Sequence, residues 1–280
     1  MSSAITLGAV TLRDRSFGSV LDAARSAGFT SIGLTVGQCL SAVERGVPLD
    51  RIPEILRDAG LAVAELELVR LGEAGPVRHA NALVEDLALS FQPDRLHAAA
   101  FMASTASSEE FATLCSRLGH IQVALEFMPY SAVPDLAAAR AFIAEVAQPN
   151  AKIVLDAVHF FRSGGRVEQL TAQALAEVAV VQLSDVVDRY QTDVAEEARH
   201  LRTYPGAGSL DLVGFIRAIA LVRRELPPLS IEPISDALEL LPIAVVADST
   251  MVSTLRVLKQ AGLLRGADGR YRAQIEKEEQ

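Results

Sequence analysis

The chain has no tryptophan and only two cysteines, Cys39 and Cys115. No CxxC pair occurs, which argues against a disulfide framework and a thiolate zinc site and fits a reducing compartment. Aromatic residues make up 5% of the chain, so Leu, Val, Ile and Ala must build the core. That suits parallel strands covered by helices. No uncharged apolar run reaches the ~18 residues of a membrane span, and the N-terminal MSSAITLGAVTLRDRS has no basic segment before a long apolar one. A cytoplasmic protein with neither membrane span nor signal peptide is expected. The net charge is −9 with no Lys/Arg block, so the electrostatic footprint of a nucleic-acid binder is missing. A small polar substrate or a bound cation is compatible with that charge.

What is present is a rhythm. Short apolar runs at Ala4–Val10, Ser31–Thr35, Ala62–Leu68, Leu96–Met102, Gln122–Phe127, Ile153–Leu155, Val178–Leu183 and Leu229–Ile231 read as strands. Amphipathic helical stretches follow them, several stopped by glycine, as at Gly28, Gly60 and Gly119. Eight such units without a composition break predict an α/β fold, a single (β/α)8 TIM barrel over residues 1–265, followed by a loose polar tail over 266–280. An open doubly wound sheet would want a glycine fingerprint after the first strand, and Gly8–Asp14 carries none. The longest connection, Asp185–Gly208, is charged and reads either as a lid or as an exposed helix.

In a barrel, chemistry sits where the strands end at the C-terminal face. There the late strands place Glu126 (VALEF), Asp156 (IVLD), Gln182 (VVQL, with Asp185 just beyond) and Glu232 (LSIEP). Like charges a few ångströms apart raise one another's pKa, and a divalent cation is the simplest compensation. Oxygen donors without thiolate favour Mg²⁺, Mn²⁺ or Co²⁺ over a closed Zn²⁺ site. Taken singly, Asp156 also reads as a cap on the following turn with His159 packed on it. The run Arg162-Ser163-Gly164-Gly165 reads as an anion cradle or as a plain glycine turn. Glu65 and Glu67 alternate on the third strand, with Glu67 nearer the C-terminal end, and it joins Arg13 as a further candidate. His79, His97, His120 and His200 read as structural or surface residues.

The segments VALEFMPYS, IVLDAVHFFRSGG, VVQLSD, RTYPGAGSLDL and LSIEP resemble the xylose isomerase-like barrel superfamily. That group includes sugar isomerases and epimerases, inosose and 3-dehydroshikimate dehydratases, and metal-dependent apurinic endonucleases. The resemblance implies a single-metal site of Glu126, Asp156, Gln182 and Glu232, with His159 in the Asp-x-x-His motif and Arg202 as a substrate contact. Many members carry His where Gln182 stands, though Gln is similar to the ligand in some dehydratases. The usual PGEG is PGAG here, so Ala207 lacks a carboxylate. The implied activity is isomerisation or epimerisation of a keto-sugar or polyol, with Glu126 and Glu232 moving protons next to a metal-held carbonyl. His159 would steady an enolate oxygen or act as an acid. Arg202 and Arg162 would fix a carboxylate or phosphate. A dehydratase of a cyclic keto-acid or keto-polyol is the alternative, and an abasic-site endonuclease a weaker one. By analogy with barrels of this kind, a homodimer is expected.

Overall fold

The computed structural model describes residues 5–13, 15–187 and 193–273. The chain-order strands are β1 (Ile5–Leu7), β2 (Ser31–Thr35), β3 (Ala62–Arg70), β4 (Arg95–Ala99), β5 (Gln122–Glu126), β6 (Ala151–Asp156) and β7 (Val178–Leu183). They continue with β8 (Asp185–Val186), β9 (Arg202–Thr203), β10 (Leu229–Ile231), β11 (Leu263–Arg265) and β12 (Tyr271–Ala273). Strands β1 to β7 and β10 form one closed parallel barrel, with β10 pairing both β7 and β1. The α/β single TIM barrel is therefore the observed fold, with β8–β9 and β11–β12 as two antiparallel ribbons outside it.

Side chains alternate across the pleat. Leu96, Ala98, Val123, Leu125, Ile153, Leu155, Val181 and Leu183 belong to the main hydrophobic cluster between barrel and helices. The residues between them face inward. On β5 to β7 these are Ala124, Val154 and Val180, which form their own apolar cluster. On β3, β4 and β10 the inward residues are Glu65, Arg95, His97 and Ser230, all buried. The barrel interior is thus apolar on one side and polar on the other.

Local signals set the helices. Ser16 caps Phe17–Ser26 and Asp135 caps Leu136–Val146, each side chain accepting a backbone N–H of the first turn. Among the helices that were not expected, two follow barrel strands directly. Val36–Glu44 follows β2 directly, started by a capping box in which Thr35 and Gln38 satisfy each other's backbone. Ala157–Arg162 follows β6 directly, and Asp156 is its N-cap. The last long helix runs Ile243–Gln260.

The segment after residue 265 is corrected as far as it is described. β12 pairs β11, and Tyr271 is buried against the barrel, because an apolar ring among polar residues has a place to bury. Residues 274–280 of the expected tail lie outside the described residues.

Candidate active site

Asp156 ends β6 and is fully buried. Its Oδ1 accepts the His159 N–H at 2.8 Å, which opens the short helix and turns the imidazole back toward the barrel mouth. Its Oδ2 accepts from Arg202 at 2.7 Å. The two readings of Asp156, cap and ligand candidate, are thus compatible, since each oxygen keeps a further lone pair. Arg202 sits on β9, wholly enclosed, and also donates to the Ser184 hydroxyl and the Ala198 carbonyl. Its remaining nitrogen lies 3.1 Å from His159 Nε2.

Glu126 ends β5 with its Oε1 3.5 Å from His159 Nε2. Glu126, Asp156 and His159 each offer a ligand atom within 4.8 Å of the others, the one such acidic–imidazole group among the described residues. On the neighbouring strands, the Gln182 amide donates to Glu232 Oε2 at 3.3 Å. A Cβ on Gly8 would stand 3.0 Å from the Glu232 Cβ. A Cβ on Gly33 would meet the Glu65 carboxylate at 2.9 Å. Glycine at these two places, just past β1 and on β2, leaves room for the inward glutamates.

The electrostatics follow from burial and crowding. Burial, then the charges of Asp156 and Glu67, push Glu126 up to about 8. Burial and the same kind of crowding push Glu232 well above the usual carboxylate range. For Asp156, burial is outweighed by Arg202 and by the His159 contacts, so it lies below that range. His159 is lowered to about 4 by burial, with Arg202 and Arg199 adding to the effect against Asp156. It is therefore a neutral imidazole, and its Nε2, facing an arginine N–H, is the acceptor.

This donor set fits a hard divalent ion. Gln182 Oε1 is buried with no hydrogen-bond partner, an unmet acceptor that would be costly in an apolar core. It lies in the same ring as three carboxylates that repel one another. A cation satisfies both at once. Glu126, Asp156, Gln182 and Glu232 are the residues that would hold it.

Other expected residues are engaged elsewhere. Arg162, expected as a substrate contact, forks its guanidinium onto Glu197 at 2.6 and 2.9 Å, tying its helix to Val194–His200. Arg202 lies inside the cluster, but as the partner of Asp156. Asp185 accepts the N–H groups of Val186, Gly206 and Leu210, so it shapes the PGAG loop. Arg13 forms ion pairs with Asp236 and Glu239. The N–H groups of Ser163, Gly164 and Gly165 bond to carbonyls of their own helix, so this run is a turn and offers no anion cradle. In the long connection, Glu197 and Ala198 are buried, so its helix is not simply exposed, and residues 188–192 lie outside the described residues.

Sequence reasoning missed His97, Tyr130 and Arg199. His97 is fully buried on β4, with ring nitrogens 3.1 Å from Glu67 and 3.5 Å from Glu65. The signal was present in RLHAA, where Arg95 and His97 share the inward face. Tyr130 packs edge-on against His159 with ring centres 5.6 Å apart. Arg199 lies over the Tyr130 ring at 5.2 Å.

A model of the xylose isomerase-like TIM barrel family matches residues 21–249. No curated protein matches the chain. Among solved structures, the IOLI protein with a bound zinc atom superposes with a TM-score of 0.76 at 18% identity, over 93% of this chain and 99% of that one. A probable 3-DHS dehydratase from Bacillus anthracis gives 0.72 at 16% identity, over 90% and 98%. L-ribulose 3-epimerase gives 0.71 at 16% identity, over 93% and 96%. The chain spans only 43% of a fusion of such a barrel with 4-hydroxyphenylpyruvate dioxygenase, which it matches at 19% identity and a TM-score of 0.79. At these identities the likeness is one of fold.

Proposed function

The chain belongs to the xylose isomerase-like TIM barrel family, and from that premise we propose that it is a divalent-metal-dependent isomerase or epimerase of a keto-sugar or related polyol. The observation that carries this is the buried ring of Glu126, Asp156, Gln182 and Glu232 with its unmet Gln182 carbonyl. A divalent ion held there would supply Lewis-acid polarisation of a substrate carbonyl and its neighbouring hydroxyl. Mn²⁺, Mg²⁺ or Co²⁺ suit the oxygen-rich donors best.

The protein groups then divide the work. Glu126 and Glu232 reach the mouth from different strands, so one takes the proton next to the carbonyl and the other returns one to carbon. Neutral His159, held by the Asp156 cap and accepting from Arg202, orients an oxygen by its remaining N–H. Its Nδ1 is buried and without a partner, so that donor has capacity to spare. Arg202 keeps Asp156 ionised and fixes His159, acting on substrate through them. The substrate is a small molecule. No helix among the described residues is long and apolar enough to cross a membrane.

A second reading, a dehydratase of a cyclic keto-acid or keto-polyol, is favoured by Arg199. That residue is exposed at the mouth over Tyr130 and suits an acidic substrate. Against it, elimination needs an acid at the departing hydroxyl, and His159 is held neutral. An abasic-site endonuclease would need a basic face for phosphates, which a chain of net charge −9 does not favour.

The test is a panel of ketoses, inososes and dehydroshikimate with Mn²⁺ in D₂O. The expected result is a product of unchanged elemental composition carrying solvent deuterium at the deprotonated carbon. Loss of one water, seen by mass spectrometry, would reverse the order of the two readings.

A further inference from the structure

The polar side of the barrel interior is a connected structure that the proposed chemistry leaves unused. Glu65 is pinned on both oxygens: Arg95 donates to Oε2 at 3.0 Å, and Ser230 donates to Oε1 from β10. His97 stands between Glu65 and Glu67, with Nε2 3.5 Å from Glu65 and Nδ1 3.1 Å from Glu67 Oε1. None of His97 Nδ1, His97 Nε2 and Glu67 Oε1 has a well-aligned hydrogen bond, although all are buried. Adjacent buried polar atoms left in that state ask for an explanation.

The register shows where Glu67 ends up. Glu65 touches Ser230 across the barrel. β3 and β10 run parallel in the same closed sheet, so the next inward residue of each lies one pleat, about 6–7 Å, nearer the C-terminal face. Those residues are Glu67 and Glu232. Glu67 therefore enters the ring that holds Glu232, and its side chain, unlike that of Glu65, is partly exposed, at 10%. The charge of Glu67 also acts on both Glu126 and Glu232.

The geometry points to Glu67, braced from below by His97, as a further proton-handling residue on the β3 wall of the mouth. This inference rests on the isomerase reading. When a carbonyl moves to the neighbouring carbon, one proton must move between carbons and another between oxygens. Glu126 and Glu232 serve the carbons. Glu67 accepts the proton of the substrate hydroxyl, whose O–H bonding pair becomes the new C=O bond, and returns that proton to the former carbonyl oxygen. No atom or electron is gained or lost. His97 is a positioning residue: seated between the fixed Glu65 and Glu67, it sets where the Glu67 carboxylate stands, as a third group orients a base in hydrolase triads.

The experiment compares Glu67→Gln, Glu67→Asp and His97→Asn with the unsubstituted protein, using Mn²⁺ alone and then Mn²⁺ with the substrate panel. For Glu67→Gln, Mn²⁺ affinity is expected within about twofold of the parent, while kcat falls about 10²–10³-fold and KM changes little. Glu67→Asp should recover part of kcat, and His97→Asn should lower kcat less than Glu67→Gln does. Loss of Mn²⁺ by Glu67→Gln to the extent seen for Glu232→Gln would make Glu67 a ligand and overturn the inference, as would an unchanged kcat. If the parent protein turns over nothing in the panel, the isomerase reading fails. The pairing is then judged by ¹⁵N NMR of the imidazoles. A His97 Nδ1 resonance that moves in Glu67→Gln keeps it, and one that stays overturns it.

Discussion

Asp156 carries three loads on one carboxylate: helix cap, partner of buried Arg202 and candidate metal ligand. Removing one member of a buried pair strands the other charge, which costs about 3–5 kcal/mol. Asp156→Ala should therefore destabilise the metal-free protein by about that amount in urea unfolding. Asp156→Asn keeps an acceptor for the His159 N–H and should cost less, while still weakening Mn²⁺ binding. A companion pair separates roles. Glu232→Gln should weaken Mn²⁺ binding and abolish turnover, whereas His159→Asn should reduce turnover with Mn²⁺ affinity nearly intact. Calorimetric titration with Mn²⁺ checks both; equal loss of the ion in the two variants would make His159 a ligand.

At the scale of elements, two short helices close over the mouth and lean on each other. Ala157–Arg162 is anchored below by Phe160, which packs against Phe215. It is tied to Val194–His200 by the fork between Arg162 and the nearly buried Glu197. Arg162→Ala would leave the Glu197 charge unpaired, so this second helix should open more readily. The expected effect is at least about tenfold faster amide exchange in residues 194–200, equivalent to ~1.4 kcal/mol of local stability. Exchange in β5 to β7 should be unchanged. Arg202, on the strand that follows the helix, reads out the same loosening. If exchange over 194–200 does not change in Arg162→Ala, the fork is not what holds the cover in place.

For the whole molecule, crowding of acids at one end of the barrel predicts how stability depends on pH. Glu126 folds with a value of about 8, raised from its ordinary 4.5 chiefly by burial, and Glu232 is raised too. Groups raised in this way add stability at low pH and lose it as the pH climbs through the folded value. His159, lowered to about 4 from 6.5, works the other way, but its contribution is complete above 6.5. Between about pH 6.5 and 8 the metal-free Tm should therefore fall. Mn²⁺ needs ionised ligands, so its binding releases protons and strengthens with pH. The Tm gain on adding Mn²⁺ over EDTA should be larger at pH 8 than at pH 6.5, by differential scanning fluorimetry. An equal gain at both would mean that the raised carboxylates are not the ligands.

Eight strand–helix units, and a polar residue at the end of each of the last four barrel strands, were legible in one dimension. Strand period and the core-exit position of a charge are local properties of the chain. The sequence alone thus determined the barrel, and it put forward Glu126, Asp156, Gln182 and Glu232 as one candidate set. Two short helices were less legible, although the Thr35–Gln38 capping box was there to be read. What only the tertiary structure decided is which side chain faces which. Arg162 and Arg202 look alike in sequence as anion binders. Folding gives one to Glu197 and encloses the other beside Asp156. His97 read as a structural or surface histidine, and only closure of the barrel shows that its neighbours are Glu65 and Glu67. The physical reason is that pairing of buried charges is a non-local property. It depends on strand register and barrel closure, which bring together residues far apart in the chain, and no local pattern encodes that meeting.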